Sequence, residues 1–200
     1  MPPNAIGLKV VQSQLYIMQN DRDLHEVDAS HGGFANACSA KAFGRALSNC
    51  RSLARLKLRH CSIGPKICTA LWDGGSPSAL CELDLSSNPN LCYCAKLLTV
   101  LRAPTLTKLT LLDCGISAEK ARMLIGSLNS GLQELDLSVN KLGDANPTFD
   151  QLGSTMIPSG ALSSMMTLRL SDCGIFSHAA KSHRLSACLH LLFDRPKASG

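Results

Sequence analysis

The sequence predicts one α/β domain, a solenoid of about six strand-loop-helix repeats. The pattern L-x-x-L-x-L, followed three residues later by Asn or Cys, recurs in intact or degenerate form, with first apolar residues at 24, 53, 80, 106, 132 and 165. Successive starts lie 26 to 33 residues apart, and such self-similarity is typical of stacked repeats. With 200 residues, 45% of them hydrophobic, the chain can bury about 70% of its unfolded surface.

Each repeat begins with a short strand. In LQELDLSVNKLGD, residues 132–144, apolar residues first alternate as in a strand and the pattern then breaks into a loop. The last two leucines of each copy face the core, and their neighbours face the opposite side of a parallel sheet. An Asn or Cys at the ninth position can bond the backbone of the turn. This predicts a structural ladder formed by Cys61, Asn88, Cys114, Asn140 and Cys173.

The segments between the strands predict convex helices of unequal length. SAEKARMLIGSL, residues 117–128, starts with a capping serine and repeats apolar residues at helical spacing. The segment after Ile63 soon reaches a Gly-Gly-Ser-Pro loop and predicts a short convex element. Trp72, just before that loop, is expected to serve packing rather than recognition.

The chain divides into three regions by composition. We expect residues 1–23 to form an N-terminal flank or cap, 24–192 to form the repeat domain and 193–200 to form a polar tail. Residues 146–164 make the longest repeat and carry two prolines and two glycines. They are either a protruding functional loop or, as we prefer, a loosely packed insertion. The sequence leaves open whether further repeats continue the array.

The ten cysteines do not have the density of a small disulfide framework. Three of them occupy the ninth position of a repeat, and most others lie among apolar residues between strands. We interpret them as buried small hydrophobes rather than metal or redox groups. A reducing, intracellular and cytoplasmic location is therefore expected.

The repeats resemble the leucine-rich repeat proteins of the ribonuclease-inhibitor type, which also occur in NOD-like receptors and Ran GTPase-activating proteins. LQELDLSVN and LCELDLSSN match the Asn-bearing repeat of that type, and LTLLDCGIS and LKLRHCSIG match its Cys-bearing repeat. The resemblance covers about residues 24–192. It implies a short right-handed horseshoe arc, with the parallel sheet on the concave side and helices on the convex side.

The outward positions of the strands form columns when the repeats are aligned. The first column reads Glu26, Arg55, Glu82, Lys108, Glu134 and Thr167. The second column reads Asp28, Lys57, Asp84, Thr110, Asp136 and Arg169. Adjacent strands lie about 4.8 Å apart, so these alternating charges can pair across the sheet. A third column places Arg59 beside Arg55 and Lys57, with His60 following, in a local basic cluster.

Two interpretations of this face remain open. It is either a solvated surface whose charges neutralise each other or a polar concavity that binds a protein partner. We predict binding, with partner contacts from Glu26, Asp28, Arg55, Lys57, Arg59, Glu82, Asp84, Lys108, Asp113, Glu134, Asp136 and Arg169. Because aromatic residues are absent from the columns, electrostatics and shape would have to carry recognition.

Signatures of chemistry are scarce. Neither Gly-Gly pair continues into a phosphate-binding Gly-Lys-Ser/Thr loop, and no serine or cysteine stands in a nucleophile-elbow sequence. Cys92 and Cys94 are one residue too close for the usual zinc pair. A site with His183, Cys188 and His190 is conceivable, although we expect these residues to lie on a C-terminal helix. We therefore predict no enzyme, no cofactor and no metal.

The net charge of +5 is dispersed and lacks aromatic platforms, which disfavours a nucleic-acid partner. The apolar runs are shorter than the roughly 20 residues of a membrane span, so no membrane partner is expected. The prediction is a non-catalytic protein-interaction module. The alternative, supported by the family resemblance alone, is a regulator of an enzyme that stimulates a small GTPase or inhibits a nuclease.

Overall fold

The computed structural model describes residues 5–21, 23–91, 94–142 and 164–174. Within these residues, six parallel strands form one open sheet in sequence order. They are β1 (Glu26–Asp28), β2 (Arg55–Lys57), β3 (Glu82–Asp84), β4 (Lys108–Thr110), β5 (Glu134–Asp136) and β6 (Thr167–Arg169). The predicted leucine-rich-repeat solenoid of about six repeats is confirmed.

Helices alternate with the strands in the described part of the chain. They are α1 (Ala5–Asn20), α2 (Ala37–Asn49), α3 (Pro65–Leu71), α4 (Ala95–Leu101) and α5 (Ala118–Ile125). The helices α2 to α5 each connect one strand to the next, as a parallel sheet requires. No helix within these bounds is both long and apolar enough to cross a membrane.

The helix starts follow from local sequence. At α2, the Asn36 side chain accepts a hydrogen bond from the backbone N–H of Ser39, and Ser39 Oγ accepts one from the Asn36 N–H, which completes a capping box. Ser117 Oγ caps α5 by accepting from the backbone N–H of Lys120 at 3.4 Å. The predicted helix is therefore present, although it ends at Ile125 instead of Leu128.

The core lies between the sheet and the helices. It contains the three leucines of each of the four central repeats, all at most 1% exposed: Leu53, Leu56, Leu58, Leu80, Leu83, Leu85, Leu106, Leu109, Leu111, Leu132, Leu135 and Leu137. Burial of a leucine side chain contributes roughly 1.5–3 kcal/mol. Trp72 is 1% exposed just after α3, in agreement with its expected packing role.

Close packing fixes α2 against α3. A Cβ at Gly44, in the middle of α2, would lie 1.9 Å from the carbonyl oxygen of Leu71 at the end of α3. Only glycine permits this approach of a helix to a neighbouring backbone.

The first helix was not predicted from the sequence. It buries Val11 and Met18 against the core at the start of the array. Of the predicted insertion 146–164, all but Ser164 lies outside the described residues, as do the segment 175–192 and the tail 193–200.

Candidate functional site

The strand register aligns the outward columns of the concave face. Glu26 pairs in register with Arg55, Arg55 with Glu82, Glu82 with Lys108 and Lys108 with Glu134. The second column is aligned in the same way from Asp28 to Arg169. Ten of the predicted partner-binding residues therefore lie on the strands of one surface. Arg59, which follows β2 in the third column, is an eleventh residue on this surface.

Glu26 is the centre of an ion-pair cluster at the first edge of this surface. Its Oε1 lies 2.6 Å from Lys57 Nζ, and its Oε2 lies 2.9 Å from Arg55 Nε. The hydrogen bonds from Lys57 and then Arg55 lower the pKa of the Glu26 carboxyl group. Glu26 in turn raises the pKa of Lys57. Lys57 thus pairs diagonally with Glu26 rather than with Asp28 directly opposite.

A second cluster lies at the other end of the face. Glu134 Oε2 lies 3.2 Å from Lys108 Nζ and 3.7 Å from Arg169 Nη1. Arg59 Nε lies 3.7 Å from Asp84 Oδ2. The side chains in these pairs and those around Glu26 are 22% to 54% exposed, so they remain accessible to a partner.

A hollow of about 220 Å³ opens between the two clusters. It lies over β2, β3 and β4 and is lined by Arg55, Leu56, Lys57, Glu82, Leu83, Asp84, Lys108 and Thr110. Within the described part of the chain, Glu82 takes part in no ion pair, whereas the flanking Arg55 and Lys108 bond to the outer glutamates. The hollow brings both signs of charge together at the centre of the face.

Three of the predicted partner-binding aspartates also have a structural role. Oδ1 of Asp28, Asp84 and Asp136 accepts the backbone N–H of the serine two residues later, at 2.9 Å in each case. This local bond is an Asx turn, which ends the strand. The signal was present in the sequence as D-x-S in the first, third and fifth repeats, but its structural meaning was missed.

The asparagines of the ladder complete the turns of neighbouring repeats. Asn88 Oδ1 accepts the backbone N–H groups of Cys61 and Ile63, at 3.1 and 3.0 Å. Its Nδ2 donates to the carbonyl oxygens of Leu58, Leu85 and Ser86. The carboxamide thus satisfies buried backbone groups of two repeats.

Asn140 occupies the equivalent place two repeats later. Its Oδ1 accepts from the backbone N–H groups of Cys114 and Ile116, both at 3.0 Å. Its Nδ2 donates to the carbonyl oxygens of Leu111, Leu137 and Ser138.

The thiols of the ladder cysteines donate hydrogen bonds to backbone carbonyl groups of the preceding repeat. Cys61 Sγ donates to the Ala29 carbonyl oxygen at 3.2 Å, Cys114 Sγ to that of Leu85 at 3.2 Å, and Cys173 Sγ to that of Leu137 at 3.1 Å. Burial raises the pKa of the Cys61 and Cys114 thiols to about 12. These thiols are therefore protonated near neutral pH and are poor nucleophiles.

A column of left-handed residues borders the concave face. The residue before the ninth position of each repeat has a φ between 53° and 59°: His31, His60, Ser87, Asp113, Val139 and Asp172. The backbone N–H of each of the first five donates to a carbonyl oxygen of the next repeat. Asp113, predicted as a partner-binding residue, is exposed in this column and not on a strand. The His31 and His60 rings lie 5.5 Å apart, a contact that sequence reasoning missed.

The described residues do not form a cluster of metal ligands. Among them, no group of three or more His, Cys, Asp and Glu residues is placed to hold an ion. Of the conceivable zinc site, Cys94 lies in the described part of the chain, and Cys92, His183, Cys188 and His190 lie outside it.

The sequence matches known proteins over one repeat. The Leucine Rich repeat family model matches residues 49–71, which include β2 and α3. No curated protein matches the sequence.

Two solved structures share low similarity with the whole chain. The tropomodulin C-terminal domain of Caenorhabditis elegans is 13% identical in sequence, with a TM-score of 0.44. The match covers 90% of the present chain and 91% of the tropomodulin chain. A structure titled leiomodin-1 actin-binding site 2 is 10% identical in sequence, with a TM-score of 0.42. The match covers 94% of the present chain and 92% of the leiomodin chain. At these TM-scores, neither structure indicates what the present chain binds.

Proposed function

We propose that this chain is a non-catalytic interaction module that binds a protein partner through its concave face. The observation that carries the proposal is the aligned, partly exposed set of charges around the central hollow. Interfaces of this kind gain specificity and association rate from complementary charge. The outer glutamates fix the basic side chains in position, which lowers the entropic cost of presenting them to a partner.

The charge pairs need an explanation other than stability. Exposed ion pairs typically contribute between 0 and about 1 kcal/mol, whereas the buried leucines and the ladder already account for the packing of the repeats. The pairs also leave Glu82 at the centre of the face for an intermolecular contact. These features favour a partner-binding surface over a merely solvated one.

Affinity capture with charge-reversal variants tests the proposal. The concave variant carries Lys57→Glu and Arg59→Glu. A matched convex variant carries Lys66→Glu and Arg122→Glu, which change the charge equally at exposed helix positions. We expect a partner retained by the wild-type chain and the convex variant to be depleted at least about tenfold with the concave variant.

Thermal unfolding of all three chains provides the control, because the concave variant should have nearly the wild-type Tm. Equal retention of every protein by both variants would contradict the proposal.

We further propose that the repeats are of the ribonuclease-inhibitor type, on the strength of the alternation between Asn and Cys at the ladder. Regulation of an enzyme would use the same concave face. The identity of a partner lost with the concave variant would therefore separate a scaffold from a regulator of a GTPase or nuclease.

A further inference from the structure

Two cysteines meet on the convex side, away from the concave face. Cys68 lies in α3, Cys94 is the N-terminal cap residue of α4, and their Sγ atoms are 3.5 Å apart. The residues are 26 positions apart in the sequence, so the contact joins the second and third repeats. Cys68 is 0% exposed, whereas Cys94 is partly exposed.

An ion pair connects the same two segments. Lys96 Nζ, in the first turn of α4, lies 3.5 Å from Asp73 Oδ1, just after α3. The other oxygen of Asp73 lies 2.7 Å from Lys41 Nζ on α2. These contacts accompany the packing of α4 against α3, which brings the two sulfur atoms together.

We propose that Cys68 and Cys94 are a redox-active dithiol that closes to a disulfide in the presence of peroxide. A disulfide needs a sulfur separation of about 2.0 Å, so the two sulfur atoms must approach by roughly 1.5 Å. Side-chain rotation and a small shift of the short helix α4 can supply this movement.

The partly exposed Cys94 reacts first. Its thiolate attacks one oxygen of hydrogen peroxide, a sulfur–oxygen bond forms, the oxygen–oxygen bond breaks, and hydroxide leaves. Cys68 sulfur then attacks Cys94 sulfur, the sulfur–oxygen bond breaks, and the proton of the Cys68 thiol leaves in a molecule of water. In total, two thiols lose two electrons and two protons, and peroxide is reduced to two molecules of water.

Cys94 differs from the three ladder cysteines because it is partly exposed, whereas they are buried. Cys61, Cys114 and Cys173 are buried in the ladder, where their thiols donate to backbone carbonyl groups. Cys38 is exposed on α2 and provides an internal reference for peroxide reactivity. The geometry thus predicts a selective cross-link rather than general thiol oxidation.

The cross-link would tie two neighbouring helices together. Closing a loop of this length restricts the unfolded chain. For a chain of about 200 residues we expect the Tm to rise by roughly 5–10 °C on oxidation, and to return on treatment with dithiothreitol.

The test treats the full chain with one equivalent of hydrogen peroxide and then blocks the remaining thiols with iodoacetamide. Trypsin alone leaves both cysteines in the peptide 67–96, so a glutamyl endopeptidase that cleaves after Glu82 is added. We expect mass spectrometry under non-reducing conditions to find the peptides 67–82 and 83–96 joined, with carbamidomethyl groups on Cys81 and Cys92 and none on Cys68 and Cys94. Reduction should separate them.

Two variants make the result decisive. Cys94→Ser should abolish both the cross-linked peptide and the oxidation-dependent rise in Tm, while its reduced form unfolds near the wild-type temperature. Cys38→Ser should leave both effects unchanged. A bond from Cys94 to Cys92, a cross-link that persists in Cys94→Ser, or oxidation confined to Cys38 would each overturn the proposal.

Discussion

Asn88 and Asn140 make the same five side-chain hydrogen bonds to equivalent backbone atoms two repeats apart. Each carboxamide uses both of its hydrogen atoms and its oxygen, and each is at most 3% exposed. The ladder cysteine between them, Cys114, supplies one thiol, which bonds only to carbonyl oxygens. The two kinds of ladder residue should therefore differ in their effect on stability.

We predict that Asn140→Ala lowers the free energy of unfolding by about 3–4 kcal/mol, because two buried N–H groups lose their partner and three carbonyl oxygens each lose one hydrogen bond. Cys114→Ala should cost only about 1 kcal/mol, since a thiol is a weak donor and the cavity is small. Urea unfolding followed by circular dichroism measures both. The exposed Asn90→Ala is the control and should change little; similar losses for Asn140→Ala and Cys114→Ala would contradict the distinction.

Val139 offers a stabilising change. It has a φ of 59°, a left-handed conformation that a β-branched residue rarely adopts, and its side chain is 45% exposed. Val139→Asn should raise the free energy of unfolding by about 1 kcal/mol, because Asn tolerates this conformation. Differential scanning calorimetry should show a higher Tm. Val139→Ile keeps the β-branch and should give no gain, and a Tm unchanged in Val139→Asn would argue against strain at this position.

The buried ladder thiols predict instability at high pH. Burial raises the pKa of the Cys114 thiol from 9.0 to about 12 in the folded chain. The unfolded chain therefore releases the proton first, and the stabilisation, complete below pH 9, is lost between pH 9 and 12. Between pH 9 and 10, wild-type protein should lose about 1 kcal/mol more than Cys114→Ala. Urea unfolding at each pH measures this difference, and Cys38→Ala should behave like the wild type.

Asp136 allows its structural and electrostatic roles to be separated. Asp136→Asn removes the charge but keeps an oxygen that can accept from the Ser138 N–H, so stability should stay within about 0.5 kcal/mol. Asp136→Ala loses the Asx turn and should destabilise by about 1 kcal/mol. Chemical denaturation distinguishes the two variants. Partner capture that weakens equally in both would assign the aspartate a contact role through its charge.

The spacing of the leucines was sufficient to predict the strands, their order and their register. Because side chains alternate along a strand, aligning Leu83 with Leu109 also aligns Glu82 with Lys108. The columns of the candidate site therefore followed directly from the repeat alignment. The helix cap at Ser117 was predictable for a similar reason, since its signal is local.

Other features depend on choices that the repeat pattern does not encode. Lys57 bonds to Glu26 rather than to Asp28, because its long side chain can reach diagonally across the sheet. The helix α1 lies before the first repeat, where no copy was available for comparison. The contact of Cys68 with Cys94 depends on the packing of two short helices in segments of unequal length, which spacing alone does not define.

Because carboxamides and thiols alternate along the ladder, the resistance of the array to stretching should differ from one interface between repeats to the next. Asn88 holds the second and third repeats together, and Asn140 holds the fourth and fifth, each through several hydrogen bonds. At the interface between these pairs, the ladder side chain that bonds across is the single thiol of Cys114. In a linear array, each repeat interacts only with its neighbours. Under a stretching force applied along its length, the solenoid would part first at a thiol-bridged interface, and paired repeats would come away as units.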